Sequence, residues 1–298
     1  MMFSRIYGKG QAVIIIHGLF GMSDNWNSIG KKISDNFNVH IIDLRNHGRS
    51  FHNNNFSYHD MSNDLQEYLF QHNIQKPILI GHSLGGKVAM DFCFKNAEKV
   101  KGLIVVDIAP KTYNVDFHNN LLNILTVLPL RNYNSRDEID KVLSKSITEL
   151  SIRSFLMKNL YRDEDKSFNW RFNIEVLKKE LSNIKNADFL NGEIIIPTVF
   201  IKGGDSSYIN SDDESVISTL FKVAGYTYGP LLGMYAFGLF TKWKIKDHLI
   251  IPVVLLAPII SYILQLKSPV WWGFNFGFEL LIVNGALCFL GMLLIRKR

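Results

Sequence analysis

Short, continuous apolar runs alternate with helix-length amphipathic stretches along the first two-thirds of the chain. Ala12-Val13-Ile14-Ile15-Ile16 stops at His17-Gly18, and Val39 to Asp43, Pro77 to Ile80, Leu103 to Asp107 and Thr198 to Ile201 repeat the form. Apolar runs of this length, without an alternating polar face, predict strands covered on both sides, as parallel strands are. Met61 to Gln71 and Gly86 to Lys95 carry helical periodicity between them. Strand and helix in alternation predict an α/β domain with a mostly parallel sheet over residues 1–215. Residues 111 to about 190 interrupt the rhythm with polar, helix-patterned sequence and no strong strands. They predict a helical cap over the strand ends, where open α/β sheets bind ligands.

From about residue 216 the pattern changes. The stretches 224–240, 249–266 and 276–295 are mostly apolar and long enough to cross a bilayer. Gly229-Pro230, Pro252 and Pro258 fall inside them, as is common in transmembrane helices. The second predicted domain is therefore a three-span membrane segment, 216–298, which would place the chain at a membrane.

Charge sharpens this division. The formal net charge is +6, yet residues 225–298 hold seven basic residues and only Asp247 and Glu279 as acids. The excess flanks apolar runs, so it does not describe a nucleic-acid surface. Two cysteines, Cys93 and Cys288, lie far apart and imply no disulfide framework. No His/Cys spacing suggests a metal, and no cofactor motif is present, so no cofactor is expected. The one early apolar run, Ala12 to Ile16, is too short for a signal peptide core.

The candidate chemistry centres on Gly81-His82-Ser83-Leu84-Gly85-Gly86, which follows a predicted strand and precedes a predicted helix. That context suits a nucleophile elbow, with Ser83 as nucleophile and the Leu84 amide facing the developing oxyanion. The loop His17-Gly18-Leu19-Phe20-Gly21 would give the second amide, from Leu19 or Phe20. His17, His47 and His82 read as structural residues that shape their loops.

Several motifs then occur in order: His17 to Gly21; Asp43-Leu44-Arg45-Asn46-His47-Gly48-Arg49-Ser50; Gly81 to Met90; Val106-Asp107-Ile108-Ala109-Pro110; and Trp170-Arg171-Phe172-Asn173. Together they resemble the small bacterial carboxylesterases of the YbfF type, within the α/β-hydrolase superfamily, over about residues 1–215. The resemblance implies hydrolysis of small acyl esters or thioesters through an acyl-enzyme. It implies Asp107 as the acid that orients a histidine base, with Asp205 as the alternative and Ser206 as a possible assistant. It also implies a last strand and a Gly-His element some 20 to 30 residues beyond Asp205. The sequence there reads Gly225-Tyr226, and the triad histidine is not found. His248, at the edge of the second apolar run, is a remote substitute.

The tail has its own resemblance. Val223-Ala224-Gly225-Tyr226-Thr227-Tyr228-Gly229-Pro230-Leu231-Leu232-Gly233, with the runs that follow, is similar to the last membrane helices of the sodium:solute symporter family. By the positive-inside rule Lys242, Lys244 and Lys246 place the first inter-span loop in the cytoplasm, and Arg296-Lys297-Arg298 place the C-terminus there. Three spans would then put the hydrolase domain outside, although it resembles cytoplasmic enzymes. The expectation is a serine ester hydrolase without its last strand, impaired for want of a base. The alternatives are a membrane-anchored esterase and a non-catalytic chimera ending in a transporter fragment.

Overall fold

A computed structural model describes residues 2–185, 194, 196–204, 206, 208–209, 229–274, 276 and 279–297. The chain divides into two units, Met1–Ile209 and Asn210–Arg298.

In the first unit the apolar runs become the middle of a sheet. β2 (Gln11–Ile16), β3 (Phe37–Ile42), β4 (Ile78–His82), β5 (Gly102–Val106) and β8 (Thr198–Ile201) run parallel in the order β3-β2-β4-β5-β8. β1 (Ser4–Tyr7) adds to β3 antiparallel, with Ser4 opposite Ile42 and Tyr7 opposite Val39. Ile14, Ile15 and Ile16 are wholly buried, because helices cover both faces of the central strand. The β1 strand was not foreseen. Its sequence, Ser-Arg-Ile-Tyr, has a single aliphatic residue, and that residue, Ile6, is exposed.

α1 (Asn27–Ile33), α2 (Tyr58–Gln71) and α3 (Leu84–Lys95) join these strands. The start of α2 is fixed by a reciprocal cap. The Ser57 hydroxyl accepts the Asp60 amide at 3.1 Å, while the Ser57 amide donates to the Asp60 carboxylate at 3.1 Å. Met61, Leu65 and Tyr68 are the face of α2 turned to the core.

The insertion after β5 holds α4 (Asp116–Thr126), α5 (Arg136–Leu143), α6 (Leu150–Met157) and α7 (Ile174–Lys185). It is not purely helical: β6 (Leu160–Arg162) and β7 (Phe168–Trp170) form an antiparallel hairpin within it. Three-residue strands leave too short a period for sequence patterning to reveal.

The second unit holds α8 (Gly229–Phe240), α9 (Ile250–Trp272) and α10 (Glu279–Leu294). Phe237, Ala257, Cys288 and Met292 form its small core, while Leu255, Ile259, Tyr262, Leu266 and Val270 are exposed. Of the three expected spans, one is long and apolar enough among the described residues to cross a membrane, Asp247–Trp272 at 26 residues. It begins near the expected start but runs six residues past Leu266, because Pro269 continues the helix rather than ending it. Gly229–Phe240 and Glu279–Leu294 are shorter. The expected first span also included 224–228, and those residues, like the stretch searched for a last strand and a Gly-His element up to Tyr228, lie outside the described ones.

Candidate active site

Ser83 sits between the end of β4 and the start of α3 with φ +50° and ψ −117°. A non-glycine residue holds such backbone only when its surroundings over-determine it. Here the Ser83 amide donates to the Val106 carbonyl at 3.0 Å, and its carbonyl accepts the Gly86 amide at 2.9 Å. The flanking glycines make room for the turn. A Cβ on Gly81 would lie 2.6 Å from the Gly86 Cα, and one on Gly85 would lie 2.5 Å from the His17 carbonyl oxygen. The elbow is thus clamped against β2 and the first turn of α3, and the half-buried Ser83 projects into a small cleft of about 50 Å³ under the insertion.

Leu84 is the first residue of α3, where an amide has no partner within its own helix. Leu19 also lines the cleft. The two residues kept open for the second amide now separate. Phe20, with φ +60°, donates its N–H to His47 Nε2 at 3.2 Å, so its amide is already engaged.

Two buried histidines build this loop. The Leu44 amide donates to His17 Nε2 at 3.0 Å, and His17 Nδ1 meets the Gly18 carbonyl at 2.8 Å. His47 Nδ1 meets the Arg45 carbonyl at 3.0 Å, and the two rings lie 5.2 Å apart. Each ring must therefore be neutral, with its proton on Nδ1. Burial pulls His17 down to about 4 and His47 to about 3. Asp43 ties the neighbouring loop by accepting the Ser23 and Arg49 amides.

Asp107 lies just past β5, also at positive φ, +55°. Its amide donates to the Ile201 carbonyl at 2.7 Å, and its Oδ1 accepts the Gly203 amide at 3.2 Å. It therefore bridges the ends of β5 and β8, one strand over from Ser83. Burial lowers the basicity of His82, and Asp107 partly restores it, which places the carboxylate near that ring. The His82 ring packs on Trp26 at 5.9 Å. Ser206 hydrogen-bonds through its hydroxyl oxygen to the Tyr208 amide at 3.2 Å and borders the same Gly203 turn. Asp205 lies outside the described residues. His248 belongs to the second unit. Among the described residues no histidine hydrogen-bonds Ser83 or Asp107, and no three His, Cys, Asp or Glu side chains group to hold a metal ion.

The cleft has further walls that sequence reading did not single out. Lys87 and Tyr58 line it, as do Tyr113 and His118 from the insertion. Lys87 had a legible signal: it stands four residues after Ser83, on the same face of α3. Tyr58 and His118 had none, because only the tertiary fold brings α2 and α4 to the elbow.

Residues 11–216 match the family described as alpha/beta hydrolase fold. The chain is 36% identical over 232 residues to sn-1-specific diacylglycerol lipase ABHD11 of Danio rerio, covering 75% of this chain and 73% of that protein. It is 29% identical over 198 residues to esterase YbfF of Escherichia coli, covering 66% of this chain and 76% of that protein. A solved marine microorganism esterase superposes with a TM-score of 0.70 at 39% identity, over 73% of this chain and 86% of that one.

Proposed function

Because the chain belongs to the α/β-hydrolase fold family, we propose that it is a carboxylic ester hydrolase that works through an acyl-enzyme on Ser83. The observation that carries this reading is the strained Ser83 elbow opening into a cleft between Leu84 and Leu19. The Ser83 oxygen attacks the acyl carbon, and its proton leaves to a base. The Leu84 and Leu19 amides donate to the carbonyl oxygen as it becomes an oxyanion. The C–O or C–S bond breaks as the leaving group takes the proton, and water then releases the acid from Ser83. Asp107 fits the orienting carboxylate, since it stands at the end of the strand beside the elbow and already accepts a hydrogen bond. Small esters and thioesters fit the modest cleft.

The base is the weak member. No described histidine of the first unit hydrogen-bonds Ser83, and triad members act as a unit, so turnover falls by several orders of magnitude without one. p-Nitrophenyl acetate hydrolysis by the purified chain tests this. Slow turnover, abolished by Ser83→Ala, is the expected result, and turnover unchanged by that substitution would refute Ser83 as the nucleophile. Brisk turnover abolished by Ser83→Ala would reveal a working base and a complete enzyme.

A second reading concerns the tail. The most apolar 18-residue stretch of the helix Asp247–Trp272 has a mean hydropathy of 2.4 and is only 11% buried, which favours a membrane anchor. On this reading the chain resides at a membrane. The resemblance of the 216–298 sequence to a symporter fragment favours a fusion of two unlike parts, without transport of its own. Sequencing reads across the codons for 205–225 distinguish a true fusion from two genes.

A further inference from the structure

Ser83 shares its cleft with a buried cation. Lys87, one helical turn along α3, is 2% exposed and lines the same cavity. Its ammonium donates to the Lys185 carbonyl at 3.2 Å and lies 5.0 Å from the Tyr113 ring centroid and 5.7 Å from that of Tyr58. All of these residues line the cleft. Among the described residues no carboxylate lies within salt-bridge distance of Lys87. An ammonium removed from water without an opposite charge is costly, and two ring faces with one carbonyl offset only part of that. An ammonium has three donors, and one is used here.

A second group faces the same space. His118, on α4, lines the cleft, and its Nδ1 is buried with no hydrogen-bond partner. A buried polar atom of that kind calls for a partner that the chain itself does not supply. A charged donor and an unsatisfied imidazole beside one nucleophile are what a carboxylate needs: one oxygen on the ammonium, the other on a ring N–H.

We propose that Lys87 and His118 form a subsite for a carboxylate carried by the substrate, so that the ester taken by this cleft is a short one bearing a free acid. The inference rests on the reading of Ser83 as the nucleophile of this cleft. Lys87 also holds the C-terminal end of α7 through the Lys185 carbonyl, and a purely structural latch would alter stability without altering ligand choice.

The test is therefore one of binding. Calorimetric titration uses the full chain in detergent carrying Ser83→Ala, so that nothing turns over. The probes are monomethyl succinate, with its carboxylate on the acyl side; acetoxyacetate, with its carboxylate on the alcohol side; and neutral dimethyl succinate. One of the two acids binds at least ten-fold more tightly than the neutral diester, and the winner tells which side of the ester meets Lys87. Lys87→Met erases the preference, Lys87→Arg keeps it, and His118→Phe weakens it several-fold.

A measurement without a lysine substitution guards against misfolding. Burial lowers the Lys87 pKa to about 8, and a bound anion raises it again, so the preference declines as pH rises above about 8. The other titratable residues lining the cleft are Tyr58 on α2, Tyr113 before α4, His118 on α4, Lys185 on α7 and Tyr208 after β8. Burial holds Tyr58 and Tyr208 above their ordinary range and His118 below its own. Equal affinity for all three probes, or a preference that survives Lys87→Met, overturns the subsite. The p-nitrophenyl acetate assay reads the hydrolase function separately, so an inactive chain that still discriminates by charge refutes catalysis and keeps the subsite.

Discussion

Mild acid should unfasten the loop that presents Leu19. His17 and His47 both use Nε2 as an acceptor, for the Leu44 and Phe20 amides, and both turn Nδ1 to a carbonyl. Protonating Nε2 sets one N–H against another in a site that water does not reach. The folded rings therefore resist protonation down to about 4 and about 3, whereas in the unfolded chain each takes a proton near 6.5. The unfolded state binds more protons throughout that interval, so stability is full above 6.5 and is lost as pH falls. Each ring forfeits about 1.4 kcal/mol per pH unit below 6.5, or about 2 kcal/mol by pH 5. The two together approach ~4 kcal/mol, a large share of the ~5–15 kcal/mol typical of a domain. Urea unfolding at pH 7.5, 6, 5.5 and 5 measures this. It is followed by hydrogen-exchange pulses at one fixed pH, read on β2 and β3 peptides so that the tail does not contribute. His47→Gln keeps an acceptor for Phe20 and a donor for Arg45 but cannot titrate, so it should remove about 1.4 kcal/mol per pH unit from a slope to which His40, also held down at about 4 by burial, contributes as well. A flat profile between pH 7.5 and 5, or an unchanged slope in His47→Gln, would refute the assignment of these rings as neutral clamps.

Two further outcomes follow from single contacts. Asp64→Ala removes the carboxylate that grips the Arg45 guanidinium at 2.6 and 2.8 Å, leaving it the Asp60 carboxylate at 3.5 Å and the Asn55 and Asp60 carbonyls at 3.0 and 3.3 Å. The expected loss is about 3 kcal/mol, read as a lower urea midpoint for the same peptides. Gly85→Ala drives a methyl group into the carbonyls of Ile16 and His17, so the elbow must shift, and labelling of Ser83 by a fluorophosphonate probe should fall at least ten-fold.

The central sheet was legible because its strands are buried on both faces, and burial of that kind writes unbroken Val/Ile/Leu runs into the chain. β1 and the β6–β7 hairpin left no such mark. β1 is an edge strand with one exposed aliphatic residue, and the hairpin strands are three residues long. In the C-terminal unit the described residues extend the second expected span: α9 continues through Pro269 to Trp272, six residues beyond Leu266.

At the candidate site, legibility divides by whether a residue's role is local. Ser83 and Leu84 belong to a turn whose glycines are adjacent in sequence, so the motif announces the geometry. Choosing between Leu19 and Phe20 required a partner 27 residues away, since only the His47 ring shows which amide is already engaged. Lys87 illustrates the same limit from the other side. Its spacing from Ser83 puts it on the elbow's face of α3, but a lysine on a helix next to solvent would be ordinary. What gives it meaning is that α7, 98 residues further on at Lys185, and the Tyr113 segment, 26 residues further on, close over it. The reach of the substrate subsite is thus set by the insertion rather than by the motif. Chains with an identical elbow but a different insertion should differ in the charge of the ester they accept, while keeping the same oxyanion amides.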